Sequence, residues 1–203
     1  MTDISQHYGG SILALTGKQS TIIISDKRLG NGAITASMNF DRLHPINQTC
    51  VVGLSMFVPD GQMFVKNLKR EVNLYEINND CNMTPQSISA LASHYLYSKR
   101  MQPHYVEPIV AGLDKGKPFI CSMDCLGSTV RSNFLAAGTA EKNLFGLAES
   151  LYYDDMTDEE LFTTGVQIFL NAVDRDGLSG WGLNSYLITQ TGVVRREVKS
   201  RMD

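Results

Sequence analysis

The groups from which a reactive centre could be built lie far apart in the chain: Asp26, Arg28, Arg42, Asp176 and Ser179. Asp26 ends an apolar run, Arg28 follows two residues later, Arg42 comes after a further strand-like segment, and Asp176 and Ser179 leave a long helical stretch. Taken singly, each reads as a solvated charge or hydroxyl at the end of an element. Taken together they form a dispersed constellation that only a fold could assemble. Metal chemistry is a poorer match. His7, His44, His94 and His104 have no ligand spacing among themselves, and Cys121-x-x-x-Cys125 is a lone pair without a second pair to complete a tetrahedral site. Gly177-Leu178-Ser179-Gly180 is the nearest approach to a nucleophile elbow, but it lacks the flanking strand-to-helix run, and no Walker-type phosphate loop is present.

The elements that must position these groups begin with Tyr8 to Gly30, a β-hairpin turning at Thr16-Gly17-Lys18-Gln19. A Gly30-Asn31-Gly32 turn follows, then short strands over Ala33 to Met38 and Cys50 to Ser55. From Asp60 the period becomes helical, with Phe64, Leu68, Val72 and Tyr75 on one face. Thr84 and Pro85 suit the N-cap and first position of a second helix, whose buried face is Ile88, Leu91, Ala92, Tyr95 and Leu96. Strand character returns in Pro108 to Ala111, Pro118 to Met123 and Phe134 to Ala137. A third helix is expected over Ala140 to Leu151, and a fourth from Thr157, where Thr157 and Glu160 spell a capping box. Two strands, Leu183 to Thr189 and Val193 to Lys199, close the chain. Helices that come in adjacent pairs between antiparallel strand groups cannot act as single crossovers. They are better placed as layers outside two packed sheets, which makes the chain α+β, an αββα sandwich.

The 203 residues fit one domain, 1–203, without repeats or linkers. A chain 43% hydrophobic and 19% charged is globular in composition, and a net charge of -3 with a pI near 5.8 leaves no basic footprint for nucleic acid. No apolar run reaches membrane-spanning length, and MTDISQHYGG lacks the basic and apolar regions of a secretion signal. An intracellular protein with four reduced thiols, Cys50, Cys81, Cys121 and Cys125, is therefore expected.

Several segments then resemble one family in one order. They are Gly9-Gly10-Ser11 with the first hairpin, Asp26-x-Arg28, Asn73-Leu74-Tyr75-Glu76, Glu107 to Asp114, Lys117 to Asp124, Ala137-Gly138-Thr139, Asn171 to Asp176 with Ser179-Gly180, and the terminal Arg201-Met202-Asp203. Over nearly its whole length the chain resembles the β subunits of the 20S proteasome, and among them the eukaryotic β3 type. The fold that this resemblance implies, two antiparallel sheets between helix pairs, agrees with the element order.

Active members of that family cut themselves before a threonine, whose hydroxyl attacks while the freed α-amine, with a pKa of about 8, serves as base. A lysine and an aspartate complete their centre. By the family's spacing this chain keeps Asp26, places Gly10 where the threonine stands, Arg42 where the lysine stands, and Glu141 where a serine stands. The oxyanion-facing N–H falls near Met56-Phe57, where active members have glycine. The resemblance thus implies no catalytic residue, with Asp176 and Ser179 left as scaffold.

The expected role is a non-catalytic structural subunit of the core, touching other β subunits and the α subunits in an assembly of two α rings and two β rings. Its substrates are unfolded proteins, with neither nucleic acid nor membrane as partner. Cytoplasmic and nuclear localisation follows from the resemblance. The rival is an active N-terminal nucleophile peptidase that uses Ser11 after cleavage at Gly10; against it, Ser11 lies one residue out of register, and successive strand residues face opposite ways. By the same resemblance Asp124 would face a neighbour's active site and favour basic substrate side chains, the other reading being a solvated strand-end carboxylate. No cofactor is required. A structural cation, Mg2+, is the one implied, held by carbonyls near Val173, Asp176 and Ser179 with the Asp203 carboxylate reaching into a neighbour.

Overall fold

The computed structural model describes residues 4–201. Terminal Asp203, named above as a carboxylate reaching a neighbour, lies outside the described residues.

The first hairpin is built from β1 (Ser11–Thr16) and β2 (Thr21–Asp26), closed where Gly17 N–H donates to the Ser20 carbonyl at 2.8 Å. Every residue of β2 is buried, which is why its run of three isoleucines shows no alternation: both faces are covered. It pairs antiparallel with β1 on one side and with β11 (Leu183–Thr189) on the other. With β10 (Phe134–Gly138) and β12 (Gly192–Val198) as edges, the order of this first sheet is β10-β1-β2-β11-β12.

The second sheet has the order β5-β6-β7-β8-β9, formed by β5 (Leu43–Asn47), β6 (Cys50–Met56), β7 (Val106–Asp114), β8 (Lys117–Met123) and β9 (Thr129–Val130). A separate two-stranded sheet joins β3 (Leu29–Asn31) to β4 (Ile34–Ser37). The turn expected at Gly30-Asn31-Gly32 therefore moves forward, because Leu29 to Asn31 pair with β4 before Gly32 turns the chain at φ +61. Strands β5 and β9 escape a periodicity reading for local reasons. Pro45 interrupts β5, an edge strand whose register shifts between Pro45 and Asn47, and β9 is only two residues long.

Helices α1 (Val58–Asn79) and α2 (Pro85–Ser98) cover the second sheet; α3 (Glu141–Leu151) and α4 (Asp158–Val173) cover the first. Thr84 accepts the Ser87 N–H at 3.2 Å as the N-cap of α2, and the Glu160 carboxylate accepts the Thr157 N–H at 2.9 Å at the start of α4. Three apolar clusters fill the gaps between the four layers. Phe64, Leu68, Ile88 and Leu96 pack on Val52 and Val110; Leu144, Ile168 and Phe169 pack on Leu13 and Ile24; Ile12, Ile23, Val51 and Ile109 meet between the sheets. The αββα sandwich expected from the element order is the fold. It brings the start of β1, the end of β2, the chain before β5 and the exit of α4 to one end of the sandwich.

Candidate functional site

At that end the centre is Asp26, fully buried at the last position of β2. Its Oδ1 accepts the Ser11 N–H at 3.1 Å and Arg42 Nε at 3.0 Å; its Oδ2 accepts the N–H groups of Arg28 at 3.3 Å and Gly180 at 3.1 Å. Burial pushes this carboxyl upward from the ordinary aspartate range, and the Arg42 charge with the surrounding N–H groups pulls the other way. Both oxygens face donors alone, so a proton on either would point at an N–H. The arrangement favours the carboxylate, ion-paired with Arg42, whose side chain is 1% exposed.

Arg42 is held in turn by its Nη2 donating to the Arg28 carbonyl. Arg28 is buried too. Its Nη1 donates to the Leu178 carbonyl at 3.0 Å, its Nε to the Thr35 hydroxyl at 3.0 Å, and its Nη2 to the carbonyls of Gly32 and Ala33 at 3.2 and 3.3 Å. The two arginines thus brace the β3–β4 hairpin against the hairpin that holds Asp26.

Gly10 has φ +98, a backbone that L side chains rarely adopt, and a Cβ built there would lie 2.0 Å from Arg42 Nε and 2.2 Å from its Cζ and Nη2. The space a side chain at position 10 would need is filled by the guanidinium. Gly10 is also enclosed by its own backbone bonds, N–H to the Leu178 carbonyl and carbonyl from the Thr139 N–H, both 3.1 Å. Ser11 is fully buried and points elsewhere: its Oγ accepts the Ala140 N–H at 2.8 Å and lies 3.4 Å from Ser179 Oγ and 3.5 Å from Thr139 Oγ1. That is the register difference expected of successive strand residues.

The Asp176 carboxylate gathers three donors, the Thr139 hydroxyl at 2.6 Å, the Ser179 hydroxyl and the Leu178 N–H at 3.1 Å. Ser11, Thr139, Asp176 and Ser179 form one polar network joining β1, the start of α3 and the exit of α4. Thr139 and the Ala140 N–H were not singled out as site members from the sequence. The Ala137-Gly138-Thr139 segment was the available signal, a strand ending in a hydroxyl residue immediately before a helix. With its side chain spoken for, Asp176 could serve a cation here only through the main-chain carbonyls that the resemblance names, and the Val173 carbonyl already accepts the Asp176 N–H at 3.0 Å.

Met56, at the end of β6, has φ +75, so the left-handed backbone suited to glycine persists under a methionine. Beside it lies a small cavity of about 20 Å³ lined by Phe40, Arg42, His44, Leu54 and Gln62. Asp124 sits apart from this centre. Its Oδ1 accepts the N–H groups of Leu126 at 2.9 Å and Ser128 at 2.8 Å, and with Glu107 and Glu141 it lines an open cleft of about 290 Å³. Burial, and secondarily the neighbouring carboxylates, push both glutamates above the usual range.

The match of this chain with known proteins decides the family. A family model described as Proteasome subunit matches residues 7–188. This chain belongs to the proteasome subunit family. It is 39% identical over 202 residues to the proteasome subunit beta type-3 of Picea mariana, with 98% of this chain and 99% of the relative covered. The beta type-3-A subunit of Arabidopsis thaliana matches at the same identity and coverage. The beta type-3 subunit of Saccharomyces cerevisiae is 36% identical over 206 residues, covering all of both chains. The proteasome family membership expected from the short motifs is thus shown over nearly the full length.

Proposed function

We propose that this chain is a non-catalytic, structural β subunit of the type-3 kind in a proteasome core, acting in ubiquitin- and ATP-dependent protein degradation. The observation that carries the reading is at position 10. A nucleophile there needs both a side chain and a free α-amine. The residue is glycine, its side-chain space holds the Arg42 guanidinium, and both its N–H and its carbonyl are hydrogen-bonded within the fold. Its partners are then neighbouring β subunits and the α subunits of a core with two α and two β rings, in cytoplasm and nucleus, and its substrates are unfolded proteins passing through. Purifying the assembled particle and measuring the intact mass of this chain tests the reading. Retention of residues ahead of Gly10 is expected; a chain that begins at Ser11 overturns it.

The peptidase reading through Ser11 is not favoured. Ser11 N–H is bound to Asp26 and its hydroxyl is turned toward α3, away from Arg42.

Asp124 supports a secondary role in a neighbour's substrate pocket, since its cleft presents three carboxylates, with Glu107 and Glu141, and would favour basic side chains. Asp124→Ala in assembled particles is expected to slow cleavage after basic residues, and unchanged cleavage would remove that role. Any structural Mg2+ at the exit of α4 would rest on the carbonyls near Val173, Asp176 and Ser179. No cofactor enters the proposed role.

A further inference from the structure

Three buried side-chain oxygens, Ser20 Oγ, Ser25 Oγ and Asn184 Oδ1, have no hydrogen-bond partner among the described residues. Two of them adjoin. Ser25 of β2 and Asn184 of β11 are register partners on neighbouring antiparallel strands, and both residues are fully buried. Alternation puts both side chains on one face: Ser25 shares its face with Ile23, and Asn184 with Tyr186 and Ile188, all members of the cluster between the sheets. Directly opposed side chains on such strands have Cβ atoms about 4.5–5.5 Å apart, within reach of a direct bond or of one bridging molecule. These two make no direct bond. Ser25 is shorter than its neighbours Ile12 and Ile23, and the Asn184 amide is committed elsewhere, its Nδ2 donating to Asp41 Oδ1 at 2.5 Å. Only the N–H end of an amide can face that carboxylate, so Asn184 Oδ1 is directed away from Asp41, where it is buried.

We propose that Ser25 and Asn184 hold one internal water molecule between the two sheets, bridging Ser25 Oγ and Asn184 Oδ1, and that Asn184 is thereby the positioning residue for Asp41 and Arg42. Water suits the pair better than an ion: the amide oxygen needs a donor, the serine hydroxyl can donate or accept, and neither carries a charge to balance an ion's. A buried polar atom without a partner is costly, and an enclosed water with about two or more such partners is the usual remedy. With its oxygen so held, the amide is fixed as a donor toward Asp41, whose two oxygens also receive Arg195 Nη2 at 3.1 and 3.2 Å. Asp41 immediately precedes Arg42, whose carbonyl accepts the Leu54 N–H at 3.0 Å. The pair on β2 and β11 thus anchors the segment that carries the Arg42 guanidinium to Gly10, by a route that does not pass through the Asp26 carboxylate.

Diffraction from the assembled particle, at a resolution that resolves ordered waters, tests the site. Density for one water within hydrogen-bond distance of both oxygens is expected; an empty gap, or a rotated Ser25 bonding Asn184 directly, overturns it. Hydrogen exchange tests the positioning. In Asn184→Leu the Leu54 amide, whose acceptor is the Arg42 carbonyl, should exchange faster by roughly tenfold, while the Ile23 amide in the middle of β2 keeps its rate. A Leu54 rate equal to the parent's, or a rise shared equally by Ile23, overturns the positioning role. Should Asn184→Leu fail to assemble, two substitutions at the exposed Asp41 keep the test open. Asp41→Ala removes the acceptor and should speed Leu54 exchange, whereas Asp41→Asn retains an acceptor for the Asn184 N–H and should restore protection; equal rates in the two overturn the proposal. Neither result depends on whether the chain is catalytic.

Discussion

Asp26 and Arg42 show how one charge pair can be worth much less made than it costs broken. Two charges buried together recover little beyond their desolvation, yet either one left alone is an uncompensated buried ion. Arg42→Ala should therefore destabilise the chain by about 3–5 kcal/mol in urea unfolding. Arg42→Lys should recover only part of this, because a compact ammonium cannot supply both the Nε bond to Asp26 and the Nη2 bond to the Arg28 carbonyl. At Gly10 even alanine is expected to cost about 1–3 kcal/mol for its backbone alone, before any displacement of Arg42. Glu107 and Glu141 make a pH-dependent prediction. Folded carboxyls with raised pKa values bind more protons than unfolded ones between the ordinary glutamate value and the raised one, so their contribution to stability falls as pH rises through that window. Glu107→Gln removes one of these titrations. Unfolding midpoints across a pH series should show the variant gaining on the parent as pH rises, with the difference fading in acid.

Among elements, the junction of β1, α3 and α4 depends on Asp176, whose carboxylate serves three donors from two segments. Asp176→Ala leaves those donors to find water or stay unpaired, and a loss of about 1–3 kcal/mol is expected in denaturant unfolding, with faster exchange of the Leu178 amide. The same junction marks where sequence reading reached its limit. Helices were legible because Phe64, Leu68 and Val72, or Leu161 and Phe169, repeat at helical spacing and because Thr84-Pro85 and Thr157-x-x-Glu160 carry their own start signals. Hairpin β1–β2 was legible from its turn. Strand β5 was not, since Pro45 and a register shift erase its alternation, and the pairing of β3 was hidden under a Gly-Asn-Gly signal that usually means turn. Of the site, Asp26, Arg42, Asp176 and Ser179 were found from charge and family spacing. The roles of Thr139 and the Leu178 carbonyl escaped, one because the Ala137-Gly138-Thr139 segment shows a strand end before a helix but not the carboxylate that its hydroxyl meets, the other because a backbone acceptor has no signature in a residue's identity.

At the scale of the molecule, the two helix layers and two sheets enclose three apolar clusters, yet large apolar side chains remain outside: Ile34 is 73% exposed, Ile77 77% and Met101 91%. Such surface is ordinary when scattered and informative when a chain belongs to an assembling family. Freed from its particle, the chain should bind an apolar reporter dye and self-associate more than the intact particle does per subunit, measured by dye fluorescence and light scattering. Equal dye binding in both states would argue that these side chains are not covered on assembly.

The guanidinium lodged in the space beside Gly10 also sets the terms for any change of role. Threonine at position 10 would have to adopt a strained backbone and displace the Arg42 guanidinium, and removing Arg42 first strands the Asp26 carboxylate in the interior. Each single step descends into a valley of lower stability, so a return to chemistry would require both changes together and the release of the leading residues as well. The pair acts as a one-way latch on the chain's history.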